Sequence, residues 1–142
     1  MPSNDMSVGR DLTFTIVTPA GTLNISGVTD YSVAKKNTTL TSKRLNGRQV
    51  HGTIPDGFDI TIRLDRRDNV LDNFFADQDA AYYAGINLRG GTIYETIQEK
   101  DGSISQYRYT DVILEFNGPG DWKGDSFIPL TLMAHATERQ RV

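Results

Sequence analysis

The stretch GFDITIRLD at residues 57–65 decides the predicted fold, because a strand pattern there gives way to a helix pattern. Apolar and polar residues alternate strictly from Phe58 to Leu64, as in a strand that buries one face. Between residues 68 and 85 the spacing becomes that of one helix face. The residues on that face are Leu71, Phe74, Phe75, Gln78 and Tyr82. The sequence therefore predicts a half-buried strand followed by one amphipathic helix of about four turns.

The predicted helix has recognisable ends and an acidic outer face. Asp68 or Asn69 can cap its first N–H groups, and Gly85 suits a left-handed end. We expect its apolar face to be buried, with the side chains of Leu71, Phe74, Phe75 and Tyr82. The acidic residues expected to point outward are Asp72, Asp77 and Asp79.

The other apolar segments predict antiparallel hairpins. Residues 12–17 and 22–25 alternate on either side of a proline and a glycine, and a strand is predicted over 28–34. Residues 92–97 and 106–117 flank an Asp-Gly turn. The predicted class is mainly β, an antiparallel β-sandwich or barrel of about seven or eight strands with one flanking α-helix.

Two features of the later strands predict buried faces. A bulge near Thr110 and Asp111 would bring the apolar residues of residues 106–117 to one side. Those residues are Tyr107, Tyr109, Val112, Leu114 and Phe116. The last strand, residues 126–137, is apolar on both faces. We therefore expect one face to lie on the core and the other under the helix or a neighbouring subunit.

The segment KKNTTLTSKRLNGRQVHG, residues 35–52, is predicted to be a long polar loop. Its sizeable apolar residues, Leu40, Leu45 and Val50, are too few for a core of its own. It is either a mobile surface loop or an arm, disordered in the free subunit, that orders against another subunit. The cations that could pair with acidic residues of a neighbour are Lys35, Lys36, Lys43, Arg44 and Arg48.

Composition and motifs indicate a non-enzymatic protein. The 142 residues suit one domain, and the absence of cysteine excludes thiol catalysis and disulfides. His51 and His135 lie far apart in sequence, no Gly-x-Ser-x-Gly motif occurs, and no apolar run approaches membrane-spanning length. The net charge of -3 and the lack of a dense basic tract argue against tight DNA binding. We expect no catalytic residue, no metal, no cofactor and no membrane contact.

The order of these elements resembles the tail tube proteins of contractile bacteriophages, from about Asp11 to Arg139. The resemblance rests on a hairpin, the polar segment at 35–52 and GFDITI with Arg66, then a helix that ends in Tyr82-Tyr83-Ala84-Gly85. It continues through Thr96-Ile97, Asp101-Gly102-Ser103, Tyr107 and Tyr109 to a closing Ala136-Thr137-Glu138-Arg139. Type VI secretion and bacteriocin tubes share the fold implied.

That resemblance implies a single tail-tube domain that forms hexameric rings, which stack into the conduit for genome delivery. It implies a virion tail protein, assembled in the host cytoplasm, whose partners are a sheath, a baseplate, a tail terminator, and a tape measure protein or DNA in the lumen. The outward helix aspartates would then face the sheath, and the segment 35–52 would contact the next ring.

A conduit for DNA needs a wall that does not bind phosphates, so the resemblance implies a polar and acidic lumen. The candidates for the lumen are Glu95, Gln98, Asp111 and Glu115. Glu95 shares strand parity with Ile93 and Ile97, which leaves its side of the sheet open. Three alternative functions also remain open: an inner-tube protein of a secretion-like contractile machine, a small-ligand-binding β-barrel, and a hydrolase with an unrecognised site.

Overall fold

The strands and the helix occupy most of the chain. The computed structural model describes residues 6, 8–19, 21–23, 25, 27–86, 90–116, 118, 120 and 122–142. The elements are β1 (Leu12–Thr18), β2 (Gly21–Leu23), β3 (Val28–Lys43), β4 (Gln49–Asp65), α1 (Val70–Tyr83), β5 (Gly91–Gln98), β6 (Ile104–Phe116), β7 (Pro129–Ala136) and β8 (Glu138–Arg141). The predicted mainly β class with one helix is confirmed. Residues 20, 24 and 117, which the predicted strands and turns include, lie outside the described residues.

All eight strands belong to one antiparallel sheet that folds back on itself. The order is β2-β1-β5-β6-β7-β4-β3, and β8 also pairs with β6. The first part of β6 pairs with β5 and β8, whereas its last four residues pair with β7. At the far ends of the sheet, the Phe14 ring of β1 stacks on the Tyr31 ring of β3 at 4.7 Å. The two ends of the sheet therefore meet and enclose the core.

A bulge in β6 lets one strand serve both halves of the sheet. The pairing with β5 shifts between Ile93↔Tyr109 and Gly91↔Val112, and Asp111 has a φ of 52°. Tyr109, Val112 and Leu114 are all buried as a result. The predicted bulge is therefore confirmed. The side chains that fill the centre are Ile16, Ile60, Ile62, Ile93, Tyr109 and Leu132.

The helix α1 buries only its first turns. Leu71 and Phe75 are buried, and the Phe75 ring stacks on Phe116 of β6 at 4.8 Å. The N–H of Val70 donates to the Asp68 carboxylate, and Gly85 has a φ of 80°. The predicted helix and its glycine end are confirmed.

The predicted burial of Tyr82 is wrong. Its side chain is 67 % exposed, because the last turn of α1 contributes no buried residue to the core. The ring of Tyr82 instead contacts that of Tyr83 edge to face, with the centroids 5.5 Å apart.

The predicted loop at residues 35–52 is wrong, because this segment is the projecting end of a β-hairpin. β3 and β4 pair from Val28↔Leu64 to Lys43↔Gln49. The turn between them contains Asn46 and Gly47, and Gly47 has a φ of 85°. The hairpin holds its shape without a core of its own because the facing backbone N–H and C=O groups of its two strands are hydrogen-bonded to each other, while the outward groups are exposed. Its threonines also favour strand conformation.

Only one face of β7 is covered by the rest of the chain. Leu130, Leu132, Ala134 and Ala136 are buried against the core, whereas Thr131, Met133 and His135 on the opposite face are partly exposed. The helix lies on the core side, where Leu71 and Leu130 line the same recess. Among the described residues no element packs on the outer face of β7, so the predicted cover by the helix is wrong, whereas cover by a neighbouring subunit stays a prediction. None of the described helices is long and apolar enough to cross a membrane.

Substituting Phe75 tests the assignment of the buried helix face. Phe75→Ala removes a ring that is stacked in the core, so we expect the free energy of unfolding to fall by about 3–5 kcal/mol. Tyr82→Ala is the matched control, and we expect a change within about 0.5 kcal/mol because Tyr82 is exposed. Chemical denaturation of both variants measures the difference. Equal losses would show that the helix packs differently.

Candidate functional site

The end of the β3–β4 hairpin forms an arm, residues 37–55, that projects beyond the sheet. β4 pairs with β7 only from Phe58 to Asp65, so beyond Gly57 the hairpin has only its own two strands. The register shifts where the arm begins, since Lys36 pairs with Gly57 but Asn37 pairs with Pro55. Gly57 has a φ of 113°, and a Cβ there would lie 2.6 Å from the carbonyl oxygen of Ala136. Only glycine therefore fits at the base of the arm.

One face of the arm carries an exposed apolar strip. Cross-strand partners lie on the same face of a ladder, and the pairs Thr38↔Ile54, Leu40↔Gly52 and Ser42↔Val50 form this face. Leu40, Val50 and Ile54 are 52 %, 40 % and 47 % exposed. At the tip, the side chain of Leu45 is fully exposed. An apolar strip on a two-stranded projection with free edges is typical of an interaction surface.

The five predicted contact cations divide into two groups. Lys43, Arg44 and Arg48 are exposed at the tip of the arm. Lys35 and Lys36 lie at its base, and the Lys36 ammonium is 3.1 Å from the Asp59 carboxylate. Lys36 is thus engaged within its own subunit. A contact of any of the five with another subunit stays a prediction.

Glu95, predicted to line a lumen, is buried inside the subunit. It is 3 % exposed, and its Oε2 accepts hydrogen bonds from the hydroxyls of Tyr31 at 2.9 Å and Tyr109 at 3.2 Å. Burial, with the neighbouring Glu95 charge, raises the pKa of both phenols, that of Tyr109 to about 12. Both hydroxyls therefore remain donors at neutral pH. The prediction that Glu95 lines a lumen is wrong, because Glu95 lies on the same face of β5 as the buried Ile93.

Arg139 of β8 supplies the positive charge that faces Glu95. Its Nη2 lies 3.5 Å from Glu95 Oε1, and its guanidinium stacks 3.7 Å from the Tyr107 ring centroid. Glu95 on β5 thus connects Tyr31 of β3, Tyr109 of β6 and Arg139 of β8. We refer to these four residues as the Glu95 clasp. The clasp ties β3, at one end of the sheet, to β5, β6 and the last strand β8.

The three other predicted lumen residues are exposed, but they do not share one surface. Gln98 lies on the outer face of β5, Asp111 at the bulge, and Glu115 on the outer face of the β7-paired end of β6. Gln98 belongs to the half of the sheet in which β6 pairs with β5, and Glu115 to the half in which β6 pairs with β7. Whether any of the three lines a lumen stays a prediction.

Glu115 belongs to a row of alternating charges across four strands. His135 Nε2 is 3.2 Å from Glu115 Oε2, and His135 Nδ1 is 2.6 Å from Asp59 Oδ1. The other Asp59 oxygen contacts Lys36. We call Glu115, His135, Asp59 and Lys36 the charge ladder. It runs over the outer faces of β6, β7, β4 and β3 in that order.

The charge ladder shifts the pKa of its two central groups in opposite directions. The hydrogen bond that His135 donates to Asp59, and then the one that it donates to Glu115, raises the pKa of His135 above its ordinary 6.5. Accepting the hydrogen bond from His135 lowers the pKa of Asp59 below its ordinary 3.8. The ladder is therefore most fully paired when His135 is protonated and both carboxylates are ionised.

The predicted sheath-facing acids of α1 differ in their surroundings. Arg66 binds the Asp72 carboxylate through Nε at 3.1 Å and Nη2 at 2.9 Å. Asp72 is thus held by its own chain, whereas Asp77 and Asp79 are exposed. A sheath contact of these residues stays a prediction.

Sequence reasoning missed the clasp and the ladder because each joins residues from four strands. Asp59 and His135 are 76 positions apart, and their contact requires the Asp59↔His135 register. A strand-parity signal did exist for Glu95, since it alternates with buried Ile93. A carboxylate in the buried parity of a strand indicates a partner inside the fold.

The fold is that of tail-tube-type components of contractile machines. A chain in a cryo-EM structure of the anti-feeding prophage cap, a tube-terminating cap, superposes with a TM-score of 0.66 at 9 % identity, over 100 % of this chain and 94 % of that one. A chain in the extended sheath-tube complex of the PVC extracellular contractile injection system gives 0.57 at 11 % identity, over 91 % and 88 %. A chain in the six-fold symmetrised baseplate of the anti-feeding prophage gives 0.58 at 6 % identity, over 100 % and 97 %. No protein-family model and no curated protein sequence matches the chain.

Breaking the Glu95 clasp from one side should destabilise the fold. Arg139→Leu leaves a buried carboxylate without its cation, and we expect a loss on the order of 3 kcal/mol in the free energy of unfolding. In a Glu95→Gln background the same substitution should cost less than about 1 kcal/mol, because no charge is then left unpaired. A double-mutant cycle by chemical denaturation measures the coupling. Additive losses would contradict the pairing.

The charge ladder should make stability depend on pH. Because folding raises the pKa of His135, its contribution is complete below the unfolded pKa and is lost as pH rises through the folded one. Asp59 has a lowered pKa, so its contribution is lost only in acid, below about pH 4. We therefore expect the free energy of unfolding to fall as the pH rises above about 6.5, the ordinary pKa of histidine, and through the raised pKa of His135. His135→Gln should flatten this slope, and an unchanged slope would show that His135 is not responsible.

Proposed function

We propose that the chain is a structural subunit that self-associates into the tube of a contractile, tail-like machine. The observation that carries the proposal is the arm, whose exposed apolar strip is not used within the subunit. A monomeric protein gains no stability from such a projection, and exposed strips of this kind promote association. The tail-tube type of fold supports the same reading.

The free edges of the sheet favour head-to-tail association. β3 is the last strand in the order, so one flank of its sixteen residues has no paired strand among the described residues. A second copy that pairs there through a different surface of its own makes a heterologous contact, which closes a ring when the rotation allows. Six copies per ring, and stacking of the rings, are the arrangement we propose. The six-fold symmetrised baseplate among the similar structures agrees with that number.

The outer face of β3, β4, β7 and the end of β6 is the wall that we assign to the lumen. Its charges are already matched: the ladder pairs Lys36 and His135 with Asp59 and Glu115, and Arg63 lies 3.9 Å from Asp30. A wall whose cations are neutralised in this way does not retain a phosphate backbone. DNA or a tape measure protein could then pass without binding. Balanced pairs replace the row of acidic residues predicted from the sequence.

The proposed partners follow from this arrangement. A sheath would surround the tube and meet the exposed helix acid Asp77, and baseplate and terminator proteins would meet its two ends. We place the subunit in a tail-like assembly, either a virion tail built in the host cytoplasm or a secretion-like machine. Its role is structural rather than enzymatic.

A cap or terminator of the tube is the second candidate. The observation that favours it is the TM-score of 0.66 with the chain from the tube-terminating cap, against 0.57 for the sheath-tube complex. A cap subunit would form single rings that do not stack, whereas a tube subunit would form stacks. A small-ligand barrel fits less well, because side chains such as Tyr109 and Leu132 fill the centre.

Truncating the arm tests the proposed function. Replacing residues 38–54 by an Asn-Gly pair joins Asn37 to Pro55, which are already cross-strand partners in β3 and β4. We expect a folded protein with cooperative unfolding that no longer self-associates, as measured by sedimentation and negative-stain microscopy. Thr39→Ser with Thr53→Ser, on the polar face of the arm, is the control and should assemble normally. Tubes from the truncated chain would contradict the proposal.

A further inference from the structure

An open groove of about 510 Å³ separates α1 from the end of β6. Its floor is apolar and is formed by Phe75, Leu114 and Phe116. Two acidic residues, Asp79 and Glu115, line its rim, and both are exposed. The groove therefore offers apolar contact at its base and negative charge at its mouth.

The groove also contains an acceptor without a donor. Gln78 lines it, and the Oε1 atom of this side chain is buried but has no hydrogen-bond partner among the described residues. Buried amide oxygens are normally hydrogen-bonded. Among the described residues this acceptor is unpaired, which makes Gln78 the polar position between the apolar floor and the acidic rim of the groove.

The tip of the arm has the complementary features. Leu45 is fully exposed, and the cations Lys43, Arg44 and Arg48 surround it. The turn is held by hydrogen bonds from the N–H of Arg44 to the Arg48 carbonyl at 2.7 Å, and from the N–H of Gly47 to the Arg44 carbonyl at 2.9 Å. The N–H of Arg48 also donates to the Asn46 side chain. The tip thus presents a preorganised apolar residue between positive charges.

A subunit cannot place its own tip in its own groove. The groove lies beside Phe116, which is level with Leu132 of β7, whereas the arm leaves the sheet at Ala136 and runs away from that point. About eight residues of strand carry the tip roughly 26 Å farther in that direction. The two surfaces therefore lie toward opposite ends of the subunit. A contact between them joins two copies and repeats from copy to copy.

We propose that the groove between α1 and β6 receives the arm tip of a second copy of this chain. Leu45 contacts Phe75 and Phe116, and the guanidinium groups of Arg44 and Arg48 pair with Asp79 and Glu115. The proposal rests on the proposed function, because it names the partner surface of the same arm.

Disulfide trapping tests this contact, since the chain has no cysteine of its own. Leu45→Cys and Gln78→Cys are prepared as separate single variants, mixed under assembly conditions and oxidised. Lys100→Cys, in the exposed β5–β6 turn, replaces Gln78→Cys in the matched control. We expect a disulfide-linked dimer at least tenfold more abundant in the Leu45 and Gln78 mixture than in the control. The double variant Leu45→Cys with Gln78→Cys should form a series of disulfide-linked oligomers larger than the dimer.

The outcomes separate this inference from the proposed function. Rings or tubes by microscopy without the cross-linked dimer would overturn the groove as the receptor and leave self-assembly intact. A chain that stays monomeric in every mixture would overturn both. A second trap, Arg48→Cys with Asp79→Cys, guards against an unfavourable geometry at the first pair, and failure of both pairs in assembled material rejects the contact.

Discussion

The architecture depends on the point at which β4 extends past the end of its neighbour β7. Phe58 is the last residue of β4 that pairs with β7, and the close approach of the Ala136 carbonyl to Gly57 fixes where the two strands part. Beyond that point β4 remains bonded to β3 alone, and β8 continues along β6 instead. One close contact between a glycine and a carbonyl thus separates a packed body from a projecting arm. The backbone pairing between β3 and β4 continues along the arm, so the arm keeps a regular strand conformation without a core.

The body can support the arm because its sheet is closed by specific contacts rather than by continuous strand pairing. Tyr31 of β3 stacks on Phe14 of β1 and donates a hydrogen bond to Glu95 of β5. One side chain thus joins β3 to both β1 and β5. Arg139 balances the buried charge from the last strand. Among the described residues, this leaves the backbone of β3 unpaired on one flank. The same closure that completes the core therefore leaves an edge available for assembly.

Local patterns in the sequence predicted the class, the helix, the bulge at Asp111 and most core residues. They were sufficient because alternation and helix spacing report burial directly, as for Ile60, Ile62, Leu71 and Phe75. They failed at residues 35–52, because low apolar content does not exclude a strand: the backbone hydrogen bonds between β3 and β4 hold the hairpin. They also failed at Tyr82, because residue spacing cannot show that the last turn of α1 extends beyond the strands on which its first turns pack. The Glu95 clasp and the charge ladder depend on strand order and register, which no local sequence pattern contains.

The central claim is that this subunit builds a stacked assembly through its own surfaces. The direct measurement is sedimentation velocity of the intact chain over a concentration series, with electron microscopy of the largest species. The account predicts rings of discrete mass that stack into hollow tubes as the concentration rises. A single species at the monomer mass of 15.8 kDa at every concentration would contradict it.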